Sequence, residues 1–254
     1  DWSSDVCSSD LSYSLYGNQM RFLVGAIKNA ELAQRFFPGF TSRFYYGKSV
    51  PRWVLSTLNL FPDTELIKVN DDENSISRTW RFMACLDTDV DVVLSRDVDS
   101  RLSLREAEAH QEFMDSPFNF HIIRDHPTGH NYTISAGMFA MKTQAYGNLM
   151  HRMLLSHNFH DEYMADQKFL MGAIYPHVMN DCLIHDEYYS FTPTPPSEQR
   201  HIKRKRLATL CHIGCAVDEN DVYVYQADRD WAITETGHVT YMYDWGNDGR
   251  TDNR

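Results

Sequence analysis

The sequence predicts an α/β protein in which one mostly parallel sheet is flanked by helices. Strand-like and helical segments alternate along the chain, an order typical of an open sheet covered on both faces. The apolar run at residues 90–95 indicates a strand buried within that sheet. With 254 residues, of which 43% are hydrophobic, the chain can form one sizeable domain.

The first half of the chain predicts three strand–helix pairs. Residues 12–16 form a short strand that ends at Gly17. In residues 20–37 apolar side chains recur at helical spacing, and Pro38 and Gly39 end this helix. The later elements are a strand at 43–46, a helix at 50–60, a strand at 65–69 and a helix at 77–85.

The second half continues the alternation after the buried strand at 90–95. A helix at 103–114 begins with Ser103 and has Glu106 three residues later, the pattern of a capping box. Strands are predicted at 120–124 and 134–141, and helices at 143–156 and 163–174. Ligands of such sheets bind beyond the carboxyl ends of the strands.

Composition restricts the partners. The formal charge of −11 argues against binding to nucleic acid, which needs clustered positive charge. The exception is the basic stretch at residues 200–206, interpreted either as a solvated face or as a docking patch for an acidic acceptor or membrane. No apolar run is long enough for a transmembrane helix, and the N-terminus does not resemble a signal peptide.

The cysteines favour a reducing compartment, so we expect a cytoplasmic protein. Four cysteines follow Cys7, too few for a disulfide scaffold in a chain of this length. A zinc site is the alternative interpretation, although the spacings match no standard pattern. Its ligands would be Cys182, His185, Cys211, His212 and Cys215.

A pair of aspartates follows the buried strand at the position where parallel sheets bind ligands. Asp97 and Asp99 are one residue apart and can both reach a hard cation such as Mg²⁺ or Mn²⁺. Similar acidic triplets at residues 87–89 and 89–91 precede the strand and lie at its other end. Arg96 and Arg101 could contact phosphate or fix the carboxylates; a surface salt-bridge cluster is the structural alternative.

Several short motifs, in this order, resemble the GT-A-fold glycosyltransferases of family 8, the glycogenin-like retaining enzymes. Ser14 to Gly17 resembles the first strand and nucleotide-binding loop of that family, including Tyr16. Residues 79–82 resemble its Y-A-R-L helix, in which Arg81 would reach the donor. Residues 94–99 resemble its L-Y-L-D-A-D metal-binding strand.

The second half of the chain carries the other matches. Ala136-Gly137 resembles the centre of F-N-A-G-V-M, where small residues let the backbone approach the sugar. Asp166-Gln167 resembles the D-Q-D motif beside the anomeric carbon, which implies a catalytic role. His212 matches the histidine of H-x-G, which implies a third metal ligand, with His185 as the rival.

The departures from family 8 point to another branch. Lys168 and Met171 replace the second aspartate and the asparagine of D-Q-D-x-L-N, and Cys215 to Val217 replaces the K-P-W that follows H-x-G. Arg124 to Pro127 is similar to the R-D-H-P signature of a less characterised viral and microbial branch of GT-A transferases. Arg124 could contact phosphate and Asp125 the donor sugar; an Arg–Asp pair fixing the loop is the alternative.

The resemblance spans residues 12–215, so we assign residues 12–217 to one GT-A-like domain and 218–254 to an irregular C-terminal extension. Residues 1–11 resemble a translated sequencing adapter and are excluded from the predicted fold. We therefore expect the native N-terminus to be missing from this sequence.

The resemblance implies a Mn²⁺- or Mg²⁺-dependent hexosyltransferase that uses a nucleotide-diphosphate sugar, preferably a UDP-sugar, and retains the anomeric configuration. The acceptor would be a glycan, lipid or protein hydroxyl. The alternatives are a metal-dependent nucleotidyl- or phosphotransferase, and an inactive GT-A domain that binds sugar.

Overall fold

A computed structural model describes residues 8–127, 129–206 and 212–228. Their strands form one eight-stranded sheet in the order β3-β2-β1-β4-β6-β5-β7-β8. All strands are parallel except β6, which runs antiparallel to β4 and β5. The strands are β1 (Ser9–Leu15), β2 (Phe40–Tyr46), β3 (Thr64–Lys68), β4 (Val92–Arg96), β5 (Phe120–Arg124), β6 (Met138–Lys142), β7 (Cys182–Asp186) and β8 (Glu198–Arg200).

Helices connect the strands and cover both faces. They are α1 (Met20–Phe36), α2 (Arg52–Leu58), a 3₁₀ helix (Ser75–Leu86), α3 (Leu104–Met114), α4 (Thr143–Ser156), α5 (Ala165–Phe169), a π-helical turn (Leu170–Ile174) and α6 (Tyr175–Val178). Among the described residues no helix combines the length and hydropathy that crossing a bilayer requires. The predicted α/β sandwich around a mostly parallel sheet is therefore confirmed.

The core divides into two layers because neighbouring residues of a strand point to opposite faces. On β4, Val92 and Leu94 pack with α1, α2 and α3, whereas Val93 packs with the 3₁₀ helix, α4 and α6. Every residue of β4 is buried, as expected for a central strand with helices on both sides.

Several element boundaries differ from those predicted. The strand predicted at 134–141 begins only at Met138, because the preceding residues form a turn closed by the Met138 N–H donating to Ser135 O at 3.0 Å. The helix predicted at 163–174 begins at Ala165, after Met164 with a left-handed φ of 65°. Strands β7 and β8 were not predicted.

The first strand starts at Ser9 rather than residue 12, so part of the excluded segment belongs to the sheet. Asp10 is fully buried, and its carboxylate lies 2.9 Å from Nε of Arg43. Leu11 packs in the core. Residues 1–7 of the predicted tail at 1–11 lie outside the described residues.

The described part of the predicted C-terminal extension folds back onto the domain. Asp221 accepts a hydrogen bond from Arg101 Nε at 2.8 Å and one from Lys28 Nζ at 2.5 Å. A β-bridge joins Val217 to Tyr223. These contacts bring residues 222–228 back toward the carboxyl edge of the sheet; the extension beyond residue 228 lies outside the described part.

Acidic side chains, most of them on α3, neutralise the basic stretch at 200–206. Lys203 Nζ lies 3.1 Å from Glu112 Oε1, and Arg204 Nε donates to Glu108 Oε2 at 2.8 Å. Arg200 pairs with Glu198. Charges held in these local pairs favour the solvated-face interpretation over a docking patch.

His185 lies in the core, where three histidine rings form a hydrogen-bonded row. His121 Nε2 is 2.7 Å from His185 Nδ1, and His121 Nδ1 is 2.9 Å from His110 Nδ1. This position does not support the alternative role of His185 as a metal ligand. The described residues do not bring the ligands of the zinc interpretation together. Cys182 is a buried free thiol that donates to Val178 O. Cys211 lies outside the described residues.

The buried histidine row predicts loss of stability in mild acid. Burial lowers the pKa of His185 from 6.5 to about 4 and also lowers the pKa values of His110 and His121. The unfolded chain thus binds more protons than the folded chain as the pH falls from 6.5 to about 4, and the free energy of unfolding decreases. Urea denaturation at several pH values measures this effect.

A His121→Leu variant isolates the contribution of the row. We expect its pH dependence to be shallower by up to about 1.4 kcal/mol per pH unit, because one buried ring no longer titrates on unfolding. An unchanged slope would show that the acid sensitivity comes from other groups.

Candidate functional site

A cavity of about 530 Å³ opens at the carboxyl ends of β1 and β4. This volume is within the range of small-molecule sites. Of the predicted site residues, the following line it: Ser14, Tyr16, Arg81, Asp97, Asp99, Ala136, Gly137, Asp166, Gln167 and His212.

The Asp97-Val98-Asp99 turn directly follows β4 and is held from below by α1. The buried Asn29 side chain donates to Val98 O at 3.0 Å and to Ser100 O at 2.9 Å. Gly25 lies one helical turn earlier, and a Cβ there would overlap Val98 O. Close packing against α1 therefore fixes the direction in which both carboxylates leave the strand.

The two carboxylates differ electrostatically. Burial opposes ionisation of Asp97, but the Arg81 guanidinium beside it holds the Asp97 pKa below the usual value. Burial, together with the Asp97 charge, raises the Asp99 pKa to about 6. The nearest cation to Asp99 is Arg21, with Nε at 3.9 Å from Oδ2. The cation beside Asp97 is closer than the one beside Asp99, so the repulsion between the two carboxylates is only partly offset. A bound metal cation would reduce this repulsion.

Arg81 connects the turn to the opposite wall. Its Nη1 donates to Asp97 Oδ1, and its Nη2 lies 2.5 Å from Asp166 Oδ2 on α5. The guanidinium is almost fully buried. The resemblance correctly placed Arg81, Asp97 and Asp166 in one site, and their roles remain predictions.

The turn before β6 forms the cavity floor. Gln167 Oε1 accepts from the Ala136 N–H at 2.9 Å, and its amide donates to Ile134 O. A Cβ at Gly137 would overlap the Asp97 carboxylate. Gln167 thus shapes the floor, and glycine at 137 is required by the close approach of Asp97.

Ser14 and Tyr16 line the cavity at the end of β1. Ser14 Oγ accepts from the Arg81 N–H and donates to Arg78 O, both at 3.0 Å. The Tyr16 ring packs edge-on against Trp80 at 5.6 Å. Both residues therefore connect the first strand with the 3₁₀ helix that carries Arg81.

The predicted ligand-contacting roles of Arg96, Arg124 and Asp125 are not supported, since none of them lines the cavity. Arg96 pairs with Glu106 at 2.9 Å and donates to Gly137 O at 2.8 Å. Arg124 pairs with Asp186 at 2.7 Å. These buried side chains brace the strand ends beneath the site.

Asp125 does fix its loop, but with other partners than the expected Arg124. Its carboxylate binds Arg105 Nη2 at 2.8 Å and accepts from the Ile213 N–H at 2.9 Å. Arg101 likewise holds Asp221 rather than phosphate or the aspartate pair. The sequence does not show which acidic residue each arginine meets.

In the structure, His212 belongs to a second group of potential metal ligands, which is separate from the aspartate pair. Ligand atoms of His126, His212 and Asp228 lie within 4.8 Å of one another, all in buried residues. Neither Asp97 nor Asp99 belongs to this group, although both share the cavity with His212. The sequence predicts that His126 orders its loop rather than binds a ligand, and it gives no signal for Asp228, which lies in a short helical turn at residues 226–228.

The hydrogen bond to His126 disfavours this second group as a metal site. The Gly129 N–H donates to His126 Nδ1 at 2.6 Å, so a neutral ring carries its proton on Nε2. That Nε2 is the atom that faces Asp228 Oδ1, at 3.5 Å. A protonated nitrogen cannot ligate a metal, so this tautomer disfavours His126 as a ligand, and the role predicted for His212 stays a prediction.

Comparison with known proteins identifies the fold but no family. No protein-family model matches the sequence, and no curated protein matches it. A structure of TarS from S. aureus superposes with a TM-score of 0.51 at 13% identity, over 71% of this chain and 58% of that one.

Two further solved structures are similar. The 4-diphosphocytidyl-2C-methyl-D-erythritol synthase of Anaerococcus prevotii gives a TM-score of 0.50 at 10% identity, covering 74% of this chain and 91% of that one. The mannosyltransferase PcManGT of Pyrobaculum calidifontis, in complex with GDP-Man and Mn²⁺, gives a TM-score of 0.48 at 13% identity. The match covers 71% of this chain and 55% of that one. The two superpositions with TM-scores of 0.50 and 0.51 show that the chain has a GT-A, Rossmann-like fold.

The close approach of Gly137 to Asp97 predicts a strong effect of one methyl group. Gly137→Ala should destabilise the protein by about 1–3 kcal/mol, because the Asp97 turn or the floor must move. Gly172→Ala is the matched control, since an added Cβ meets nothing within 4 Å. Chemical denaturation compares the two; equal stabilities would contradict the tight fit.

Proposed function

We propose that this protein is a metal-dependent glycosyltransferase that moves a hexose from a nucleotide-diphosphate sugar to an acceptor hydroxyl. The observation that carries the proposal is the Asp97–Asp99 pair at the carboxyl end of β4, joined through Arg81 to Asp166 across the cavity. The GT-A fold is compatible with this function but does not by itself imply it.

The residues at the turn fit a divalent cation. Asp97 and Asp99 supply oxygen ligands suited to Mg²⁺ or Mn²⁺, and His212 from the facing loop is the proposed third ligand. The pKa of Asp99 is raised first by burial and second by repulsion from the Asp97 carboxylate. A bound cation would relieve that repulsion. When bound, the metal would neutralise charge on the departing nucleoside diphosphate.

The side chains of the cavity have separate proposed roles. Ser14 and Tyr16 would contact the nucleoside, and Arg81 the diphosphate, while the Ala136-Gly137 backbone leaves room for the sugar. Arg81 also orients Asp166, whose carboxylate faces the same space as Gln167. Asp166 and Gln167 would line the face where an acceptor hydroxyl captures the oxocarbenium-like sugar.

The finer assignments extend the same proposal. We propose a UDP-sugar as donor, with a GDP-sugar as the alternative, a glycan, lipid or protein acceptor, and retention of configuration at the anomeric carbon. NMR of the first-formed product distinguishes retention from inversion. An inverted product would contradict the family-8-like mechanism but would still be compatible with the transferase function.

The acidic pair also suits a nucleotidyl- or phosphotransferase. Such an enzyme would release pyrophosphate or transfer a phosphoryl group, whereas a glycosyltransferase releases a nucleoside diphosphate. Product identification by anion-exchange chromatography separates these reactions. A catalytically inactive sugar-binding domain would release neither product.

Substitution of the proposed metal ligands tests the function directly. In a screen of UDP- and GDP-sugars, donor hydrolysis should require Mn²⁺ or Mg²⁺, and Asp97→Asn or Asp99→Asn should reduce it at least about a hundredfold. This estimate follows from the 10–100-fold loss typical of residues that merely support a ligand.

Asp89→Asn is the matched control. Asp89 belongs to both of the other acidic triplets, is exposed and precedes β4, so its substitution should leave hydrolysis unchanged. Equal losses in all three variants would indicate a general charge effect, and unchanged hydrolysis in Asp97→Asn would refute the proposed site.

A further inference from the structure

His130 is a cavity residue with no part in the proposed site so far. It follows β5 on the loop that also carries His126, and its side chain lines the cavity while remaining 5% exposed. The Asp125 N–H donates to His130 Nδ1 at 2.9 Å. One ring nitrogen is thus occupied as an acceptor.

This hydrogen bond fixes the tautomer of the ring. A neutral imidazole has one N–H and one lone pair, so acceptance at Nδ1 places the proton on Nε2. We propose that His130 binds the donor diphosphate through this Nε2–H, as a neutral hydrogen-bond donor. The inference rests on the proposed glycosyltransferase function and assigns a substrate-binding residue to it.

The residue that holds His130 is itself held by two contacts. Asp125, whose amide holds His130, has its own carboxylate fixed by Arg105 and by the Ile213 N–H. On the other side the His130 ring packs edge-on against His212, at 5.0 Å between centroids. The ring is therefore held in one orientation at the cavity wall.

A neutral donor is useful here because the cavity's cations are largely engaged. Within the described residues the lining arginines are Arg21, Arg78 and Arg81. Arg81 binds two carboxylates, and Arg21 lies beside Asp99. A diphosphate would have to compete with these carboxylates for Arg81 and Arg21, whereas the His130 N–H has no ion pair to lose. Arg78 instead lies over the Tyr163 ring and donates to Ser75 O.

Burial is consistent with this assignment. Burial, together with the charges of His126 and Arg96 and against that of Asp97, lowers the His130 pKa to about 3. The ring lines the same cavity as Asp97, where the diphosphate of the proposed donor would lie. The charge of the ring is then constant over the neutral range.

Two substitutions give opposite results under the two possible roles. Asparagine can keep an acceptor near the position of Nδ1 but has no donor at Nε2; glutamine reaches the Nε2 position with an amide N–H but loses the Nδ1 acceptor. If His130 binds diphosphate, His130→Asn should weaken UDP or GDP binding about tenfold or more, as expected for a hydrogen bond to a charged group. His130→Gln should retain most of the affinity.

If His130 only supports the loop, the order reverses, with His130→Asn near wild type and His130→Gln impaired. The measurements are calorimetric titration with UDP and GDP in the presence of Mn²⁺, and KM for the donor that the screen selects. His177→Asn, an exposed histidine of α6, is the surface control. Thermal unfolding of each variant verifies that it is folded.

The outcomes separate the inference from the function on which it rests. Turnover by the wild-type protein with unchanged binding in His130→Asn, or with the reversed order of the two variants, would overturn the role of His130 alone. Absence of donor turnover and of nucleotide binding in the wild-type protein would overturn both proposals. A selective loss in His130→Asn with retention in His130→Gln is the expected result.

Discussion

The Arg81 guanidinium, shared between Asp97 and Asp166, is the interaction on which the site depends. It joins three separate parts of the chain: the 3₁₀ helix, the turn after β4, and α5. A buried charge is tolerated only when it is paired and hydrogen-bonded, and Arg81 meets this condition with a carboxylate on each side. Loss of either carboxylate would leave the other partner and the cation less well neutralised. The positions of the two acidic groups across the cavity are therefore coupled through one side chain.

Further buried arginines repeat this arrangement one layer below. Arg96 pairs with Glu106 and holds Gly137 O, and Arg124 pairs with Asp186 at the end of β7. Each ends a strand and donates several hydrogen bonds to buried oxygens: Arg96 to Gly137 O and Ser100 Oγ, and Arg124 to Asp186 and Thr133 O. The carboxyl edge of the sheet is consequently rigid, which a site needs if it is to hold charged groups in a defined geometry.

The sequence predicted those features that depend on local pattern. The buried strand at 90–95 and the aspartates after it could be recognised because strand position distinguishes Asp97 and Asp99 from the triplets that precede the strand. Partners of buried arginines could not be predicted, since Arg124 could have met Asp125 nearby but meets Asp186, 62 positions away in sequence. His130 lies on an irregular loop and Asp228 in a helical turn of three described residues, so no periodicity indicates which side chain turns inward. The adjoining β7 and β8 escaped prediction because β8 is only three residues long and β7 follows a helix without a glycine-marked boundary.

Hydrogen-bond donors of the backbone decide how His130 in the cavity wall and the neighbouring His126 can act. The amides of Asp125 and Gly129 each donate to an Nδ1, on His130 and His126 respectively. Both rings must then present N–H groups rather than lone pairs at Nε2, which makes them donors to an anion and poor ligands for a cation. His212 lies against the His130 ring, with 5.0 Å between the ring centroids, and its role as a metal ligand remains part of the proposal. The direction of the backbone hydrogen bond to His130 favours the binding of an anion over that of a cation at its Nε2, which fits the proposed contact with the diphosphate.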